Sequence, residues 1–145
     1  MVGVEIQILE PNWPVPTYAK PGDAGADLRT TQDVVLLPGE RKIVGTGVAV
    51  AIPDGFVGFV HPRSGLAAKK GLSIVNTPGT IDSGYRGEIM VALINHDVNE
   101  TIELSRGDRI AQLVIQEFIA ADFLVVEQLP ESDRGSDGYG STGSK

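Results

Sequence analysis

The 145-residue chain is 41% hydrophobic and 21% charged, carries a net charge of −7 and has no cysteine. That composition suits one soluble domain with a real core, and it excludes disulfides, thiolate metal sites and cysteine nucleophiles. No apolar run approaches a membrane span, no basic leader opens the chain, and no Lys/Arg run offers a face to nucleic-acid backbone, so a cytoplasmic protein without membrane or nucleic-acid partners is expected.

The first twenty residues, with Pro11, Pro14 and Pro16 followed by Pro21, read as an extended lead-in. Asp23-Ala-Gly-Ala-Asp-Leu28 then places a carboxylate, Asp27, at the start of a strand. Short runs rich in Val and Ile follow at Val34–Leu37, Ile43–Ile52, Phe56–His61, Ile89–Asn95, Thr101–Leu104, Ile110–Phe118 and Phe123–Gln128. Pro38-Gly39, Pro53-Asp54-Gly55 and Gly107-Asp108 punctuate them as turns. Many short strands broken by turn residues predict an all-β sandwich, jelly roll or barrel.

One short helix is predicted over about 64–71, with Ser64 as its N-cap, Leu66 to Lys70 as its body and Gly71 at its end. Arg63, Ser64 and Gly65 then lie at a helix N-terminus, where free N–H groups and the positive dipole end favour phosphate. A plain capped surface helix would use the same residues.

Gly79-Thr-Ile-Asp-Ser-Gly-Tyr-Arg-Gly-Glu88 is the densest site-like segment and reads as a β-hairpin with Asp82 near its bend. Asp82 is a carboxylate flanked by small residues, which suits a general base; an aspartate satisfying its own turn is the structural alternative. Tyr85 offers a flat face. Ile89 to Ile94 is apolar on both faces, so either another subunit covers it or it is an interior strand. Arg106-Gly-Asp-Arg-Ile-Ala-Gln112 is a turn followed by a strand carrying Gln112.

From Pro130 onward the chain reads as a tail, leaving 1–129 as the β-rich domain and 130–145 as the closing segment. By composition the tail is a flexible Gly/Ser end, yet its parts are ordered. Arg134 can fork onto a phosphate, Tyr139 can stack on a base, Gly140 frees backbone N–H groups, and Ser141 and Thr142 add donors. No Gly-x4-Gly-Lys-Ser/Thr loop or Gly-x-Gly-x-x-Gly turn is present, and His61 and His96 fit no zinc spacing. Any metal is expected to be Mg²⁺, held by substrate phosphates and water with a carboxylate outside.

Five segments in order resemble the homotrimeric dUTP pyrophosphatases (dUTPases): Ala24–Leu28, Pro62–Leu66, Gly79–Gly87, Arg106–Gln112 and Arg134–Gly143. The resemblance implies a jelly-roll-like subunit, a trimer with sites built from different subunits, and a C-terminal tail closing over each site. It implies hydrolysis of dUTP to dUMP and pyrophosphate with Mg²⁺, which keeps uracil out of DNA and supplies dUMP for thymidylate.

Position by position, the resemblance makes Asp82 the base that activates water and Asp27 a carboxylate ordering the water shell of Mg²⁺. Arg63, Ser64, Gly65 and Gln112 would bind phosphates. Asn76, Thr80 and Ile81 would read uracil and sugar, Tyr85 would lie beneath the deoxyribose, and Met90 would line the substrate. Arg134 would act as an arginine finger, Ser141 and Thr142 would meet the γ-phosphate, and Tyr139 would stack on uracil where the family often has Phe. A dCTP deaminase of related fold would call for a catalytic Glu in the hairpin region and a different tail, whereas here the hairpin bend has Asp82 and the tail fits dUTPase. A trimeric nucleotide-binding module without turnover would not need Asp82 and Arg134 together.

Overall fold

The structure, a computed structural model, describes residues 1–133, 135 and 136. It holds ten strands and one helix: β1 (Glu5–Ile8), β2 (Ala26–Arg29), β3 (Val34–Leu36), β4 (Arg41–Ala51), β5 (Phe56–Pro62), α1 (Ser64–Lys70), β6 (Leu72–Ile74), β7 (Gly79–Ile81), β8 (Glu88–Asn95), β9 (Ile102–Leu104) and β10 (Arg109–Glu117). One four-stranded sheet runs β1-β4-β8-β6, a second runs β2-β10-β5-β7, and β3-β9 form a two-stranded ribbon. Every pairing is antiparallel. The predicted all-β, jelly-roll-like fold with one short helix is what the chain forms.

Alternation explains the core. Strand β8 points Ile89, Val91 and Leu93 inward, and β10 does the same with Ala111 and Leu113. These residues meet Val44, Val60, Leu28 and the ribbon's Leu36 and Ile102 in one buried cluster drawn from all three sheets. Burying such side chains contributes about 1.5–3 kcal/mol each. Asn95 closes the polar end of this core. Its amide donates to the carbonyls of Leu36 (3.0 Å) and Glu100 (2.8 Å), and its oxygen accepts the Asp97 N–H (2.9 Å).

The long strand β4 is interrupted. Its register against β8 shifts between Gly45 and Ala49, and Gly47 takes φ +72°, a value that favours glycine. The lead-in segment is fastened at this point. Trp13 Nε1 donates to the Thr46 carbonyl at 2.7 Å, and the Arg106 guanidinium lies 4.8 Å from the indole centroid while pairing with Glu10 at 2.9 Å.

Four expectations are corrected. The helix is capped by Arg63, not Ser64: Arg63 is extended (φ −92°, ψ 122°), makes no side-chain cap, and leaves Ser64 as the first helical residue. Gly71 ends the helix in the left-handed region, as expected. Residues 79–88 are not a hairpin, because β7 pairs with β5 whereas β8 pairs with β4 and β6. The Asp82–Tyr85 turn, closed by Tyr85 N–H onto the Asp82 carbonyl (3.0 Å), carries the chain from one sheet to the other. Phe123–Gln128 forms no strand, and β1 and β6 arise where none was predicted.

Candidate active site

Residues from three elements line a cleft of about 590 Å³: Asp27 on β2, Arg63 to Leu66 at the start of α1, and Gln112 on β10. The register makes this convergence. Gln112 stands opposite Asp27 on one side and His61 on the other, so β10 places the amide one residue from the end of β5. Gln112 Nε2 donates to the Pro62 carbonyl at 2.9 Å, directly before Arg63.

Asp27 is the electrostatic centre of the cleft. Its Oδ1 takes Arg63 Nε at 3.1 Å and its Oδ2 takes Arg109 Nη1 at 3.0 Å, with the carboxylate 14% exposed. Two guanidiniums on one carboxylate leave net positive charge, and Arg63 remains 28% exposed toward the cleft. Lys69 and Lys70 stand on the same rim. An anion is the ligand such a cleft favours. Arg109 has no counterpart among the sequence-derived site residues. It falls within the Arg106–Gln112 segment, but its contact with Asp27 cannot be read without the β2–β10 register.

The second group assembles elsewhere. Asn76, Thr80, Ile81, Asp82, Tyr85 and Met90 line a separate pocket of about 210 Å³ with Val60, Ile74, Gly79 and Val91. Strand β7 is the last in its sheet, so among the described residues one edge of Gly79–Ile81 has no strand partner. The Tyr85 hydroxyl donates to the Glu88 carbonyl at 2.8 Å. A Cβ on Gly87 would lie 2.5 Å from that hydroxyl, so the ring rests over a backbone that only glycine leaves open.

These two groups share no lining residue. Ile81 faces Gly58 across the β5–β7 ladder, whereas Arg63 lies just past the far end of β5. At about 3.3 Å per residue, Asp82 and Arg63 of one chain are separated by about 20 Å along the strand direction. The fold therefore brings together Asp27, Arg63, Ser64, Gly65 and Gln112, and separately Asn76, Thr80, Ile81, Asp82, Tyr85 and Met90. Arg134, Tyr139, Gly140, Ser141 and Thr142 lie outside the described residues.

Among the described residues no three His, Asp or Glu side chains converge as a metal cage. Asp27 fits a Mg²⁺ bound at one remove: each oxygen already carries a guanidinium, which leaves lone pairs for water. None of the helical residues among those described is in a segment long and apolar enough to cross a membrane.

The dUTPase family model matches residues 11–143. The chain belongs to the dUTPase family. Among curated relatives, the deoxyuridine 5′-triphosphate nucleotidohydrolase of Nocardia farcinica is 65% identical over 140 residues, covering 97% of this chain and 85% of the relative. That of Thermobifida fusca is 61% identical over 142 residues, covering 98% and 79%. Among solved structures, the dUTPase of Staphylococcus bacteriophage 80alpha with dUPNHPP superimposes with a TM-score of 0.90 at 32% identity, covering 99% of both chains. A D95N mutant dUTPase from phage phi11 of S. aureus, solved for the coordination of a structural Mg(II) ion, gives a TM-score of 0.82 at 29% identity, covering 90% of this chain and 100% of that one.

Proposed function

We propose that this dUTPase cleaves its substrate in a site shared between copies of a homotrimer. The triphosphate would lie in the Asp27–Arg63–Gln112 cleft of one copy, and the deoxyuridine against the Asp82–Tyr85 turn of another. As a member of the family, the chain hydrolyses dUTP to dUMP and pyrophosphate. The observation that carries the shared site is the distance of about 20 Å between Asp82 and Arg63 on one chain, too far for both to serve one α-phosphate. One exposed apolar segment supports association: Phe118, Ile119, Phe123, Leu124, Val125 and Leu129 follow β10 without cover.

In this reading Asp82 accepts a proton from water as its oxygen bonds to the α-phosphorus, and the bond from that phosphorus to the bridging oxygen of pyrophosphate breaks. Arg63, Gln112 and the N–H groups of Ser64 and Gly65 hold the phosphate chain in line. Mg²⁺ on the substrate phosphates would neutralise developing charge, with Asp27 receiving one of its waters. The backbone edge of Thr80 and Ile81 would read uracil, with Asn76 and Met90 closing the pocket. Cytosine's amino group would leave buried partners unpaired, at about 1–3 kcal/mol each. Tyr85 would fill the volume of a 2′-hydroxyl. Residues 130–145 would close over the site, bringing Arg134 and Ser141–Thr142 to the γ-phosphate and Tyr139, beside Gly140, onto uracil. The role follows: dUTP is cleared from the cytoplasmic pool and dUMP is supplied for thymidylate.

Subunit complementation tests the shared site. Arg63→Ala and Asp82→Ala enzymes are each expected to be inactive. Refolded together, they regenerate intact sites at interfaces that take Arg63 from one variant and Asp82 from the other, about one site in four for random mixing in a closed trimer. A mixture as inactive as its components would overturn the reading.

A further inference from the structure

The turn that carries Tyr85 and the irregular stretch of β4 meet at one residue, Glu88. Its carboxylate Oε1 accepts the Gly47 N–H at 2.8 Å, inside the register shift. Its backbone carbonyl accepts the Tyr85 hydroxyl at 2.8 Å. The space for this arrangement is reserved on both sides, by Gly45 on β4 and by Gly87 just before β8. A Cβ on Gly45 would lie 2.5 Å from Glu88 Oε1, and one on Gly87 would lie 2.5 Å from the Tyr85 hydroxyl. The neighbouring rung is tied as well, by Thr46 Oγ1 donating to the Ile89 carbonyl at 2.7 Å. Tyr85 itself is 42% exposed, so little core packing fixes its ring. The hydroxyl contact to Glu88 is the polar tether that sets its tilt.

We propose that Glu88 is a positioning residue for the choice between deoxyribose and ribose. The side chain clamps the start of β8 onto Gly47, the clamped backbone presents the carbonyl of residue 88 at a fixed height, and that carbonyl orients the Tyr85 ring against the sugar. The inference rests on the assignment of Tyr85 to the sugar. Freed from the clamp, the ring can tip away and leave room for a 2′-hydroxyl, so the loss falls on discrimination and leaves the chemical step intact.

The test is the ratio of kcat/KM for dUTP to that for UTP in the full-length enzyme. Glu88→Ala is expected to lower this ratio by about tenfold, chiefly through better use of UTP, with kcat on dUTP within about threefold of the parent. Glu88→Gln keeps an acceptor for the Gly47 N–H and is expected to retain the ratio. Tyr85→Phe removes the tether but keeps the ring, so adding Glu88→Ala to it is expected to lower the ratio no further. Gly45→Ala reaches the same contact from β4 and is expected to behave like Glu88→Ala, which keeps the test available should Glu88→Ala fold poorly. An unchanged ratio in both Glu88→Ala and Gly45→Ala, or full additivity with Tyr85→Phe, overturns the proposal. An unchanged ratio in Tyr85→Ala instead overturns the sugar assignment beneath it.

Discussion

Gln112 fills the space that a side chain at Gly25 would need. A Cβ there would stand 2.9 Å from the glutamine Cδ and closer still to its Oε1, while the same amide donates to the Pro62 carbonyl. The strand holding Asp27 and the turn holding Arg63 are thus spaced by one side chain, and Gly25 is what lets that side chain lie flat. Replacing Gly25 with Ala is expected to displace the amide and lower kcat/KM for dUTP by about 10- to 100-fold. The fold should survive, since the closest clashes are with the movable end of Gln112 and only its Cβ, at 3.0 Å, must give slightly; steady-state kinetics alongside a thermal melt checks both halves.

Asp82→Asn keeps the shape of the turn and removes the carboxylate proposed as the base. Turnover should fall on the order of a thousandfold. A non-hydrolysable dUTP analogue should still bind with near-parental affinity, measured by calorimetry. Full activity in this variant would remove Asp82 from the chemistry.

Ending the chain after Asp133 removes Arg134 and everything beyond it. A folded oligomer with kcat lowered on the order of a thousandfold is the expected result, the scale typical of a withdrawn arginine finger. Undiminished kcat would make the tail dispensable.

Acid stability should depend on two turn carboxylates. Backbone N–H groups of Asn99 and then Glu100 hold the Asp97 carboxyl below its ordinary range, and the Leu37 N–H does the same for Glu40. A carboxyl with a depressed folded pKa stabilises above its unfolded value and loses that contribution as pH falls through the folded value. The advantage of the parent over Asp97→Asn should therefore be full at neutral pH and shrink below about pH 4. Paired denaturant titrations across that range measure it, and a constant gap would refute the assignment.

Much of the sandwich was legible because β-branched runs separated by turn residues carry a strong local signal, as in Ile43–Ile52 and Ile110–Phe118. β1 and β6 were not, because Glu5–Ile8 and Leu72–Ile74 are short and their polar residues dilute the pattern. The 79–88 error has a different origin. Turn residues predict where a chain reverses, not which strand it joins, and sheet order is set by packing distant in sequence. Phe123–Gln128 has strand composition but pairs with no strand among the described residues. The same limit governs the site. Asp27, Arg63 and Gln112 were identifiable by type and motif, but their separation from Asp82 follows only from the register of β5 with β7. The contact of Glu88 with Gly47 crosses a strand irregularity that no local sequence pattern announces.

The indole of Trp13, the lone tryptophan of the chain, is bonded to the backbone carbonyl beside Gly47, the residue whose N–H holds Glu88. Nature has placed an intrinsic fluorophore one residue from the clamp. Its emission should register any loosening of that joint, whether provoked by nucleotide, acid or substitution, without a label and in the unmodified enzyme.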